Sequence, residues 1–229
     1  MKQLLAICCL LFLTTATALA QDAGSAKRPR NLKVLHEYSD GKGHLIRVVQ
    51  FDEGNMRVTQ TIIMDKPLGS GNLLPVSLDT IDKRYLEVLI NKSDYTVKVL
   101  YRRKPIRSYR AVFGPKPKED KRCEGDRCTP EGWFTIVNKN PGSKYTRFLG
   151  INYPNDSSYA RFNRLKKNGE LPATARIGGN IGIHGVWTGG DDLIELGVGW
   201  TDGCIALKNK DIEELYSLID VGTWVLIRK

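Results

Sequence analysis

Cys204 lies in Trp200-Thr201-Asp202-Gly203-Cys204-Ile205-Ala206-Leu207, twenty residues after His184 in Ile181-Gly182-Ile183-His184-Gly185. A thiol and an imidazole, each in a glycine-bearing turn, are the residue types of a nucleophile and its base. The thiolate is the reactive form, so something nearby must draw the proton from a thiol whose free pKa is about 8.5. His184 is the natural base, because the other two histidines, His36 and His44, fall among polar residues in the front of the chain. Gly185 would let the chain bend so that its carbonyl orients the imidazole. Gly203 would let backbone N–H groups face the oxyanion formed when a carbonyl is attacked. A lone cysteine between apolar residues is commonly an inert core residue, so the pair carries the reading, and neither residue does so alone.

Two other sequence features bear on that thiol. Lys2, the apolar run from Leu4 to Leu13, and Ala18-Leu19-Ala20 have the pattern of a secretory signal cleaved after Ala20. The apolar run is shorter than the roughly 20 residues that cross a bilayer, so no transmembrane segment is expected after cleavage. Residues 1–20 therefore read as a signal peptide, and the protein as exported, in the periplasm or cell envelope. Cys8 and Cys9 leave with the signal. Of the remaining cysteines, Cys123 and Cys128 flank Glu124-Gly125-Asp126-Arg127, a short loop that a disulfide would close in an oxidising compartment. That pairing leaves Cys204 free. As a zinc half-site the C-x4-C spacing is unusual and lacks a second ligand pair, so neither a metal nor another cofactor is expected. The net charge of +10 falls by one with Lys2. It favours anionic partners, and with no nucleic-acid-binding motif a carboxylate-rich polymer suits it better than nucleic acid.

The elements that must position the pair are mostly strands. Residues 21–80 read as a flexible leader, Gln21 to Arg30, followed by a small β-rich extension. There Leu45 to Val49 and Met56 to Met64 flank the turn Asp52-Glu53-Gly54-Asn55 as a hairpin. A Gly/Pro-rich stretch from Lys66 to Pro75 closes it. Strand patterns then run over Tyr85–Ile90, Tyr95–Arg102, Ile106–Phe113, Trp133–Val137, Phe148–Tyr153 and Thr223–Ile227. Two helices are predicted, Ser157 to Lys167 ending at Gly169, and one capped by Asn209 with Ile212, Leu215, Tyr216 and Ile219 on its apolar face. The pattern is mainly β and antiparallel, without βαβ repeats.

His184-Gly185, a spacer, and Thr201-x-Gly203-Cys204-Ile205 resemble the signature of the L,D-transpeptidase, or YkuD, family. Val112-Phe113-Gly114, Thr129-Pro130-Glu131-Gly132-Trp133-Phe134 and Asn152-Tyr153-Pro154-Asn155 resemble its framework segments. The resemblance covers about Asp82 to Lys229 and implies a catalytic domain over residues 81–229 with a β-sandwich fold and a few short helices. It implies an enzyme acting on peptidoglycan stem peptides. Cys204 would be acylated and His184 would be the base, with Gly185 orienting it and Gly203 and Cys204 giving oxyanion donors. An amine from a neighbouring stem or from a wall-anchored protein would resolve the acyl-enzyme; water would make the protein a carboxypeptidase, or an amidase-type hydrolase that detaches a protein from the wall. A non-catalytic wall-binding module is the remaining alternative. Many relatives carry histidine two places before the cysteine and Arg or Asn two places after it, where this chain has Asp202 and Ala206. Asp202 could orient a group in the site or meet the incoming amine. Tyr153, Trp187, Trp200 and Thr201 flank the motifs as substrate-binding candidates, and Arg161, Arg164, Lys166, Lys167 and Arg176 could form a basic lid.

Overall fold

The computed structural model describes residues 28–65 and 73–229. The signal sequence, the leader up to residue 27 and the stretch 66–72 lie outside the described residues. A three-stranded antiparallel sheet comes first, β1 (Arg30–Ser39), β2 (His44–Glu53) and β3 (Met56–Asp65). The hairpin of the sequence reading is β2–β3. The added strand β1 begins at Arg30, where the leader ends, and it was not legible because its side chains are almost all exposed, so no apolar alternation marks it.

The rest of the chain forms β4 (Leu86–Asn91), β5 (Thr96–Tyr101), β6 (Lys104–Val112), β7 (Gly132–Asn140), β8 (Phe148–Ile151), α1 (Asp156–Lys167), β9 (Gly182–His184), α2 (Asp191–Leu196), β10 (Ile205–Leu207), α3 (Asn209–Leu218) and β11 (Trp224–Arg228). Period-2 alternation explains the strands. In β4, Leu86, Val88 and Ile90 point inward, and in β5 Val97 and Val99 do so. Asn91 makes the turn between them, its Oδ1 accepting the amides of Ser93 and Asp94.

The two sheets of the expected sandwich are joined at their edges through β6 and β7. The strands thereby close into a ring, in the order β10-β6-β5-β4-β11-β7-β8-β9. Most pairs are antiparallel, while β11–β4 and β9–β10 are parallel. Phe113, Phe134, Ile136, Ile183 and Ile205 fill the centre, each at most 1% exposed. Val49, Phe51, Ile62 and Met64 of the front sheet are buried in the same core, so the extension docks on the ring.

Two helix expectations change. The short α2 was not anticipated, since its six residues give too little periodicity. Asn209 is the first helical residue of α3 and Lys208 its uncapped N-cap. The Asn209 side chain turns to other use, with Oδ1 accepting the amide of Val186 at 2.9 Å and the hydroxyl of Thr146 at 2.7 Å.

Candidate active site

The parallel pair β9–β10 sets the chemistry. Ile183 is level with Ile205 and His184 with Ala206. Cys204, one residue before Ile205, is therefore level with Gly182, and the two-residue period of side chains puts it on the same face as His184. Both line one cleft of about 420 Å³, together with Lys121, Glu124, Arg127, Tyr145, Asn180 and Trp200 among others.

Glycines make this junction possible. A Cβ on Gly182 would meet Leu149 O at 2.5 Å and the Phe148 ring at 2.6 Å, so only glycine fits level with the thiol. Gly203 has φ +125° and a Cβ there would meet Cys128 O at 2.6 Å, which excludes any side chain just before Cys204. Thr201 closes the turn, its hydroxyl donating to Cys204 O at 2.7 Å and accepting the Gly203 amide at 3.3 Å.

His184 Nδ1 lies 2.6 Å from the carbonyl oxygen of Gly185. A carbonyl only accepts, so Nδ1 carries the proton and the lone pair is on Nε2. The imidazole is walled by rings, with Tyr145 at 4.8 Å and 25° from parallel and Trp200 edge-on at 5.6 Å. This enclosure leaves His184 2% exposed. Burial pulls its pKa down to about 4 against the Gly185 hydrogen bond, and Lys144 pushes the same way as burial. Burial likewise pushes the Cys204 thiol up to about 11, opposed by the Gly182 amide and helped by Asp202. The thiol donates to Asn180 O at 3.4 Å. Burial thus favours the neutral form of both the thiol and the imidazole in the shared cleft. Such a pair suits general-base removal of the proton as the sulfur attacks.

The other expected residues divide. Trp200 lines the cleft and is 1% exposed, packed on His184, Tyr145 and Trp187. Thr201 also lines it, but its hydroxyl is committed to the turn. Trp187 is not on the cleft wall; it backs Trp200 at 5.2 Å and is covered by the Arg28 guanidinium. Tyr153 is a framework residue, its hydroxyl donating to Ile177 O and its ring against Phe134. None of the five basic lid residues lines the cleft, and of them Arg176 comes nearest to it, its carbonyl accepting the amide of Glu124 at 2.8 Å. Arg161 pairs with Asp120 and donates to Glu131 O, while Lys166 donates to Ala173 O. Asp202 is ion-paired with Arg127 at 3.0 Å.

Cys123 and Cys128 stand as free thiols in this structure. Their loop is closed by Asp126 instead, whose carboxylate accepts the amides of Arg122, Cys123 and Cys128 and the Lys121 ammonium. Among the described residues no three His, Cys, Asp or Glu side chains gather in a way that would hold a metal. Tyr145, Arg127, Lys121 and Asn180 were missed, because they come from loops whose approach to the cleft leaves no periodic signal.

Residues 86–227 match the family model of the YkuD L,D-transpeptidase catalytic domain. The chain belongs to this family. It is similar to an L,D-transpeptidase from Xylanimonas cellulosilytica, with 16% identity and TM-score 0.39, covering 62% of this chain and 60% of that one. A second, from Stackebrandtia nassauensis, has 17% identity and TM-score 0.40 over 68% and 62%. Bd1075 of Bdellovibrio bacteriovorus has 24% identity and TM-score 0.43 over 69% and 54%. The chain thus spans about 60% of the length of the first two solved structures. No curated protein matches the chain.

Proposed function

We propose that this YkuD-family chain is an exported cysteine L,D-transpeptidase that acts on peptidoglycan stem peptides through an acyl-enzyme on Cys204. The observation that carries the reading is the shared cleft of Cys204 and His184, with the imidazole proton tied to Gly185 O and Nε2 left as base. Export accords with the signal-like first 20 residues and with a substrate outside the cell. No helix among the described residues is long and apolar enough to cross a membrane.

The chemistry follows from the proton inventory. As Sγ of Cys204 attacks the carbonyl on the L-centre of a stem diamino acid, Nε2 of His184 takes the thiol proton. The oxyanion is met by backbone N–H groups at Gly203 and Cys204; the Gly203 amide is held at rest only by a long 3.3 Å contact with Thr201, which it can exchange for a full negative charge. The C–N bond breaks, the imidazolium returns its proton to the departing amine of the terminal D-alanine, and a thioester remains. An incoming amine, from a second stem or a wall-anchored protein, then loses its proton to His184, forms the new amide and releases the thiol.

Tetrapeptide stems incubated with the purified protein and analysed by mass test this. Dimers establish transfer, shortened monomers alone establish a carboxypeptidase in its place, and unchanged turnover after Cys204→Ala would refute a catalytic role for the thiol.

A further inference from the structure

We infer that Glu53 of the front sheet is a positioning residue for the nucleophile turn, acting through Arg127. Glu53 lies outside the family match, at the last position of β2. Its carboxylate oxygens approach the Arg127 guanidinium at 3.1 and 3.5 Å. The same Nη2 donates to Trp200 O at 3.0 Å. From Trp200 the chain enters the Thr201 turn, whose hydroxyl donates to Cys204 O. The Trp200 ring also stands edge-on to the imidazole of His184, so the residue that Arg127 holds touches both halves of the pair.

Arg127 also faces Asp202, with Nε 3.0 Å from Oδ1, but Nε makes no aligned hydrogen bond, so that contact is coulombic only. The Glu53 side chain is 15% exposed and that of Asp202 45%. Solvent therefore screens the Asp202 pair more, and Glu53 is the anchor that aims Arg127. The backbone of Arg127 is left-handed, φ 58°, a conformation that a residue with a side chain keeps only when its surroundings impose it.

The rest of the front sheet follows the same segment. Arg47 donates to Glu195 O, Met64 and Ile62 lie against Gly197, and Gln60 Oε1 accepts the Gly199 amide. Residues 195–202, which lead into the nucleophile, are thus braced by β2 and β3 along their length. This inference rests on the proposed function only in calling Cys204 the nucleophile.

Hydrogen exchange of the full chain, read by mass, tests it without any substrate. In Glu53→Gln, amides of residues 199–204 should exchange about 10-fold faster, the scale of one charge-assisted hydrogen bond, with β4–β6 unchanged. Glu53→Asp, which keeps the charge on a shorter arm, should move the same amides in the same direction. In an Arg127→Ala background, Glu53→Gln should add less than about twofold. Wild-type exchange at 199–204 in both Glu53 variants would overturn the inference, as would an undiminished effect of Glu53→Gln without Arg127. If the exchange behaves as expected while wild-type protein leaves stem peptides intact, the proposed function fails and the brace stands.

Discussion

The phenol ring of Tyr145 lies on the imidazole of His184, ring centres 4.8 Å apart and planes 25° from parallel. The Nδ1 edge of the imidazole is pinned by Gly185 O, so the ring is fixed both in its plane and along its normal. Its enclosure also accounts for its low pKa, since a charged imidazolium would be buried among rings.

Loss of the stack should loosen the imidazole. Tyr145→Leu is expected to slow Cys204 acylation about 5-fold, in line with the roughly 1 kcal/mol of an aromatic pair, while Tyr145→Phe keeps most of the rate. Single-turnover acylation of the two variants checks this.

The thiol should be sluggish toward simple alkylation. With its pKa up at about 11, Cys204 in the folded protein is expected to react with iodoacetamide with a midpoint well above that of an ordinary cysteine. Peptide mapping of the alkylated protein across pH separates it from Cys123 and Cys128. A midpoint below about 8 would instead indicate a resting thiolate–imidazolium pair.

The buried imidazole makes a signed prediction for stability. Its pKa falls from 6.5 to about 4 on folding, so the unfolded chain binds the proton more readily. The stabilising contribution is full above pH 6.5 and is lost as pH falls through about 4, on the order of 3 kcal/mol. Thermal melts between about pH 7 and pH 4 should decline less steeply for His184→Gln than for the wild type.

Lys92 has no exposed surface, and its Nζ is held by Glu119 O, Thr129 O and the Glu131 carboxylate. It pegs the loop that carries Lys121 and Arg127 to the cleft. Lys92→Met removes the buried ammonium from Thr129 O, which stays buried, and from the partly exposed Glu131 carboxylate, and should cost about 2 kcal/mol, lowering the melting temperature by roughly 6 °C.

Much was legible along the chain. Gly203-Cys204 and His184-Gly185 stood out because each pairs a reactive residue with a glycine, and the structure puts both glycines where a side chain would not fit, Gly203 at a positive φ and Gly185 against Tyr145 O and Asn209. The strands β4 to β7 announced themselves by alternation. Asn209 misled as a cap, because its side chain serves Val186 and Thr146, remote in sequence, and the solvent-exposed β1 carried no alternation to read.

By itself the sequence determined which residues have the chemistry and the local shape to use it: a thiol, an imidazole, and glycines that only certain turns require. Tertiary structure alone decided that β9 and β10 lie parallel with Cys204 level with Gly182, that Tyr145 stacks on His184, and that Glu53 reaches Arg127. Those relations join residues far apart in the chain, and burial at their meeting point, which no local pattern encodes, sets both proton affinities.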